Sequence, residues 1–223
     1  MQRLFVLFFF LPLFSFCQNS SKLWTELGVE GRITKKWHWG AEVNTRFGDN
    51  GVETFFPQVS IEYRLKKWLR PSIDYRFIAD KKKQGYYDYN HRINCNLSFK
   101  LPVERFVFKA RIRYQYAFDR LGNSEFYEPE FDNAVRLKIG GEYDVNDFIL
   151  TPVIHGEAFY DPSYGPYGRQ INKLRLFAGV KSDFSRAHSF SIGYMYDNRI
   201  NLPNPRTRHI VNIGYTYQLG KGD

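Results

Sequence analysis

FVFKARIRYQYAF, residues Phe106 to Phe118, alternates two kinds of side chain without a break. Phe106, Phe108, Ala110, Ile112, Tyr114, Tyr116 and Phe118 share one parity. Val107, Lys109, Arg111, Arg113, Gln115 and Ala117 share the other. Successive side chains on a strand point to opposite faces, so a period of two gives one apolar, aromatic face and one mostly cationic or amide face. A helix would mix the two sets. The run is also longer than the roughly 5–6 residues typical of a strand in a soluble domain. It is long enough to cross a bilayer at a tilt, which takes about 9–11.

The pattern recurs along the chain. Leu23, Thr25, Leu27, Val29 and Ile33 alternate with Trp24, Glu26, Glu30 and Arg32, and after a Lys35-Lys36 turn Trp37 to Phe47 repeats the design. GDNGVET reads as a loop. Phe55 to Leu65 and Leu69 to Ala79 follow, joined at Lys66-Lys67, and Tyr87 to Phe99 leads through a turn at Leu101 to Arg105 into the quoted strand. Asp119 to Glu130 reads as a long loop. Segments at about Phe131 to Tyr143 and Phe148 to Tyr160 come next, joined by a short turn at Asp144 to Asp147. The last three centre on Leu174 to Val180, Phe190 to Tyr196 and His209 to Leu219. Val153 and Phe159 interrupt the polar parity of the eighth segment, which predicts a bulge or a packed internal contact there.

Eleven segments with connections that alternate short and long predict an all-β fold, an antiparallel transmembrane up-and-down barrel of about 10–12 strands. A soluble barrel would turn the apolar parity inward instead. Bacterial single-chain barrels have even strand numbers, so an odd count implies a missed strand or an unusual pairing of the N-terminal segment. Lys-Lys-Trp at 35–37 recurs at 66–68. Trp beside Lys at a strand end suits the membrane interface, where amphipathic rings and cations sit at headgroup level.

Residues 1–17 read as a secretory signal peptide: Arg3, an uncharged run from Leu4 to Leu11, Pro12, then Ser15-Phe16-Cys17. Cleavage after Cys17 leaves residues 18–223 as a single barrel domain with Cys95 as its one cysteine. Export argues against nucleic acid as the partner of a chain with formal net charge +9, and the basic residues are spread along the strands. The mean hydropathy lies on the polar side of zero, as it does for any strand with one face in lipid and one in water.

The residues LWTELGVEGRITKKWHWGAEVNTRF, YRLKKWLRPSIDYRFI, HRINCNLSF and HIVNIGYTYQL resemble the bacterial family catalogued as domain of unknown function 2490. That resemblance implies an exported barrel in the outer membrane of a Gram-negative bacterium, in contact with outer-membrane lipid. Asn212 to Leu219 is similar to the C-terminal signal read by barrel-assembly machinery, which implies that machinery as a partner during biogenesis.

Catalysis needs a nucleophile and a base in reach. His91 and His209 share the apolar parity with no Ser two residues away, and His188 and Ser189 point oppositely. An outer-membrane lipid hydrolase is therefore the weaker alternative, and a soluble periplasmic barrel binding an apolar ligand is another. No metal, cofactor or catalytic site is expected. The candidate site is the inward face: Arg46, Arg64, Arg76, Arg92, Lys109, Arg111, Arg113 and Arg136 against Glu42, Glu62, Asp74 and Glu142. Such a lumen either passes small anionic solutes, as rings of Arg and Lys do, or is plugged by its own ion pairs.

Overall fold

The alternating runs form eleven strands in the computed structural model, which describes residues 21–48, 51–82, 85–121, 133–146, 148–164, 168–203 and 205–220. They are β1 (Ser21–Arg32), β2 (Trp37–Gly48), β3 (Gly51–Tyr63), β4 (Leu69–Lys81), β5 (Tyr87–Val103), β6 (Phe106–Leu121), β7 (Asn133–Tyr143), β8 (Thr151–Asp161), β9 (Gln170–Ser182), β10 (His188–Arg199) and β11 (Arg206–Gln218). Each pairs with its sequence neighbours, and β1 pairs with β11 to close the barrel. Closure satisfies every strand's hydrogen-bonding edge. The signal segment 1–17 lies outside the described residues.

The count of eleven explains the seam. Around a closed ring of neighbouring strands that alternate in direction, an odd number forces one pair to run the same way. That pair is β1 with β11, in register from Ser21↔His209 to Glu30↔Gln218. The other ten pairings are antiparallel. The sheet is therefore mixed, and no further strand is needed to close it.

Five connections, residues 33–36, 64–68, 104–105, 144–150 and 183–187, share one end of the barrel with the end of β11, the turn end. At the opposite, loop end lie the other ends of the strands, Gly48 and Gly51, Lys81 and Tyr87, Leu121 and Asn133, Asp161 and Gln170, and Arg199 and Arg206, and β1 starts there. This sorting is less sharp than the sequence suggests. GDNGVET is not a seven-residue loop, because β3 begins at Gly51, whose φ of +84° suits a tight turn, and a register shift at Arg46/Phe47 takes up the slack. The Asp144–Asp147 turn is longer than expected, since β8 starts only at Thr151. β6 runs on to Leu121, into the predicted loop Asp119–Glu130, whose remainder lies outside the described residues, as does the expected strand start at Phe131.

The strand irregularities have local causes. The β3–β4 register passes from Phe55↔Ala79 to Gln58↔Arg76 without pairing Pro57, which has no N–H to give the ladder. The predicted irregularity in the eighth segment takes both forms: the β8–β9 register shifts between Phe159 and Tyr160, and Val153 packs inside against Trp24, Phe177, Met195 and Ile210.

The two faces are inverted relative to a soluble barrel. Leu27, Val59, Ile61, Ile73, Phe108, Ile139, Ile154 and Leu176 stand exposed on the outside, each more than half accessible. Asp74, Asn94, Arg113, Gln115, Arg136, Glu157 and Asp197 are buried inside. Rings cluster towards both strand ends. At the turn end Trp37 lies against Tyr63, Trp68 against Phe99 and Phe106 against Tyr143, at 4.8, 6.1 and 4.5 Å between centroids. Towards the loop end Phe77 stacks on Tyr89 at 5.6 Å, and Tyr196 meets His209 edge-on at 5.7 Å.

Candidate functional site: the lumen

The inward parity of each strand fixes what enters the lumen, and neighbouring strands bring those residues into rungs. On β6 and β7, Arg113 lies opposite Arg136 and Arg111 opposite Lys138. On β4 and β5, Arg76 lies opposite Arg92. Like charges directly opposite destabilise a ladder, so the surrounding acids and amides matter.

Glu157 on β8 is the hub of one network. Arg136 grips it through Nε and Nη2, at 3.1 and 2.9 Å, in the forked geometry that suits a carboxylate. Arg111 and Arg175 add contacts at 3.3 and 3.8 Å. Asp197 on β10 is the second hub and has no solvent exposure. Lys173, Arg175 and Arg208 reach it at 3.1, 3.0 and 2.9 Å. Asp74 is the third: Asn94 and Asn96 donate to it, Arg113 approaches it at 3.6 Å, and Arg113 Nε also donates to Asn96. Arg76 Nε donates to Gln58 at 2.7 Å and its guanidinium sits 4.0 Å from Glu42.

Aromatic rings occupy the same space. Arg46 lies 4.1 Å from the Trp24 ring and 4.8 Å from Phe56. Arg136, Lys173 and Arg175 surround Phe159 at 4.3, 4.8 and 5.2 Å. Phe177 fits beside Gly193, where an added Cβ would collide with the ring.

The filling is uneven along the axis. In the middle and loop-end parts Ile78, Ile210, Gln115, Asn94, Asp161 and Asp197 are fully buried, and the void between Ala134, Phe159, Asp161 and Asn172 is about 10 Å³. Through the middle of the barrel runs a cavity of about 420 Å³, whose lining reaches from Arg46 and Lys173 on the loop-end side to Glu142 and Lys181 near the turn end. Arg46, Arg76, Arg92, Arg111, Arg113, Arg136, Lys138, Lys173, Arg175 and Lys181 line it, against Glu26, Glu42, Glu142 and Glu157. A vestibule of about 910 Å³ at the turn end is lined by six arginines and lysines, among them Arg64 and Arg70, against Glu30, Glu62 and Asp183. Both spaces are thus predominantly cationic.

All twelve candidate residues fall within this system. Arg46, Arg76, Arg92, Arg111, Arg113, Arg136, Glu42 and Glu142 line the inner cavity. Arg64 and Glu62 line the vestibule, and Lys109 pairs with Glu142 beside a side chamber of about 400 Å³. Asp74 is buried behind Arg113. Gln58, Asn94, Asn96, Gln115, Lys173 and Asp197 also belong to the site. All six lie on the polar parity of their strands, so their alternation was the available signal.

The family model described as "Protein of unknown function (DUF2490)" matches residues 21–209, from the start of β1 into β11. The chain belongs to this family. No curated protein and no solved structure shows significant similarity to it. In this DUF2490 barrel three histidines bond to tyrosines: His91 with Tyr75 at 2.6 Å, His188 with Tyr215 at 2.7 Å, and His209 with Tyr194. His155 stacks on Phe177 at 4.6 Å. Among the described residues no group of three or more His, Cys, Asp or Glu is placed to hold a metal ion.

Proposed function

We propose that this DUF2490 chain is an outer-membrane β-barrel of a Gram-negative bacterium, exported by a cleaved signal peptide, whose lumen is closed towards its loop end by its own side chains. The observation that carries the reading is the inversion of faces: an apolar belt of Ile, Leu, Val and Phe outside, and buried Arg, Lys, Asp, Glu and amides inside. Soluble monomers rarely expose contiguous apolar patches beyond a few hundred Å², and a belt around the whole barrel far exceeds that. The two sets of rings supply a second support. Phe106 and Tyr116 are ten residues apart on β6, which at about 3.3 Å per residue and ~40° tilt projects to about 25 Å, the height of the apolar band of such barrels. Val211, Ile213, Tyr215 and Tyr217 form the alternating row of β11, consistent with reading by the barrel-assembly machinery.

The expected outcome is recovery in the outer-membrane fraction, faster gel migration before heating than after, and no steady conductance in planar bilayers. Recovery as a soluble periplasmic protein would overturn the reading. A narrow anion-preferring passage is the second reading, favoured by the cation excess in both cavities. It predicts conductance that loses its anion preference when Arg111 and Arg113 are replaced by Glu.

A further inference from the structure

From the turn-end mouth to the middle of the barrel, the lumen carries more positive charge than its own acids match, and the excess is arranged as rungs. Starting at the mouth, Lys100 lies opposite Lys109 on β5 and β6. Further in, Arg111 lies opposite Lys138, and next Arg113 opposite Arg136. Arg76 and Arg92 make a fourth like-charged pair on the neighbouring strands. Arg76, Arg111, Arg113, Arg136 and Lys109 draw on four carboxylates, Glu42, Asp74, Glu142 and Glu157. Glu157 is shared with Arg175 as well.

Lys138 is the informative member. Its side chain is half-buried and borders both the inner cavity and the side chamber, yet among the described residues no carboxylate lies within ion-pair distance of it. Arg111 Nε, on the residue opposite, is buried without a hydrogen-bond partner. The loop end handles the same problem differently: Asp80 and Asp88 are also a like-charged cross-strand pair, but Lys82 bridges them at 3.7 and 3.3 Å. Both members of the acid pair share a built-in counterion, whereas only the Arg111 half of the Arg111/Lys138 rung meets a carboxylate, Glu157, and Lys138 faces open volume.

We propose that the inner cavity is a one-ended binding pocket for a compact oxyanion bearing two or more negative charges, which enters through the turn-end vestibule and sits against the Arg111/Lys138 and Arg113/Arg136 rungs. The volume of about 420 Å³ falls in the range of small-molecule pockets, ~300–1,000 Å³. Guanidinium forks and an ammonium are the donors that recognise phosphate or carboxylate oxygens. Beyond it, towards the loop end, the fully buried Ile78, Asp161, Asp197 and Ile210 fill the interior and make the pocket blind, so the ligand leaves by the route it entered. The pocket belongs to the interior and does not depend on what surrounds the barrel.

Calorimetry on the detergent-solubilised full chain at low salt tests this, with pyrophosphate and citrate as separate probes that distinguish a phosphate from a polycarboxylate preference. Saturable one-to-one binding of at least one is expected. Lys138→Gln should weaken it by about tenfold or more, and Arg111→Gln likewise. Lys35→Gln and Lys66→Gln, at outer turns, should change it less than about twofold. Because Lys138 has no carboxylate to abandon, Lys138→Gln should keep its heat-modifiable migration and melt no lower than the parent without ligand. No saturable binding of either probe, or equal losses in the turn and lumen variants, would overturn the pocket. Such a failure would leave the membrane assignment standing, since fractionation tests that separately.

Discussion

Glu157 shows at the scale of one side chain how this lumen is held. Its carboxylate meets Arg136 through two bonds and is approached by Arg111 and Arg175, while its side chain is 3% exposed. Removing one partner of a buried pair leaves the other charges uncompensated, a loss of about 3–5 kcal/mol. Glu157→Gln preserves the shape and removes the charge that gathers three guanidinium groups. We expect it to destabilise the barrel by about that amount in urea unfolding from micelles. Lys109→Gln is the contrasting case. Lys109 pairs with Glu142 near the mouth and is 43% exposed, so solvent screens the pair and the expected change is within about 1 kcal/mol. A similar loss in both variants would mean that the interior network does not carry the stability assigned to it.

Strands were the most legible level of the structure, because their evidence is local. FVFKARIRYQYAF becomes all of β6 but its last three residues, and its cationic row becomes three rungs of the lumen. The parity that exposes Ile112 and Tyr114 also buries Arg113 and Gln115, so twelve candidate residues could be placed inside from alternation alone. Which of them meet could not be read in the same way. Arg111 reaches Glu157 two strands away, and Arg113 reaches Asp74 across β5, contacts set by registers that depend on bulges and tight turns. The internal packing of Phe177 and Met195 runs against their parity's polar rule, and depends on the space left by Gly193. The parallel seam follows from the odd count, which the sequence displayed, but its register does not. Thr25 faces Ile213 across it. In a Cys95→Ser background, the pair Thr25→Cys and Ile213→Cys should cross-link under mild oxidation or with a short bismaleimide and hold the barrel compact on heating. Thr25→Cys with Tyr217→Cys, four residues out of register, should cross-link far less. Equal efficiencies would refute the register.

For the whole molecule, the decisive question is which solvent meets the outer surface. Leu176, on β9, is 59% exposed, and Ile112, on β6, is 45% exposed. Both lie well inside the two sets of rings, and neither contributes to the charged interior. In water, replacing such a residue by Arg is a surface substitution, usually within about 0.5 kcal/mol of neutral. In a bilayer the same change places a guanidinium in the hydrocarbon, at about 2–4 kcal/mol near the midplane, falling towards about 0–1 at the interfaces. Leu176→Arg and Ile112→Arg should therefore lower unfolding stability measured in lipid vesicles by about 2–4 kcal/mol each. Trp37→Arg, at the turn-end ring, should lose less in the same vesicles, because its long stem reaches the headgroup region. This depth dependence separates the two environments without reference to the lumen: a water-facing belt gives small, depth-independent changes at all three positions, and that result would remove the membrane assignment even if the barrel and its anion pocket were both intact.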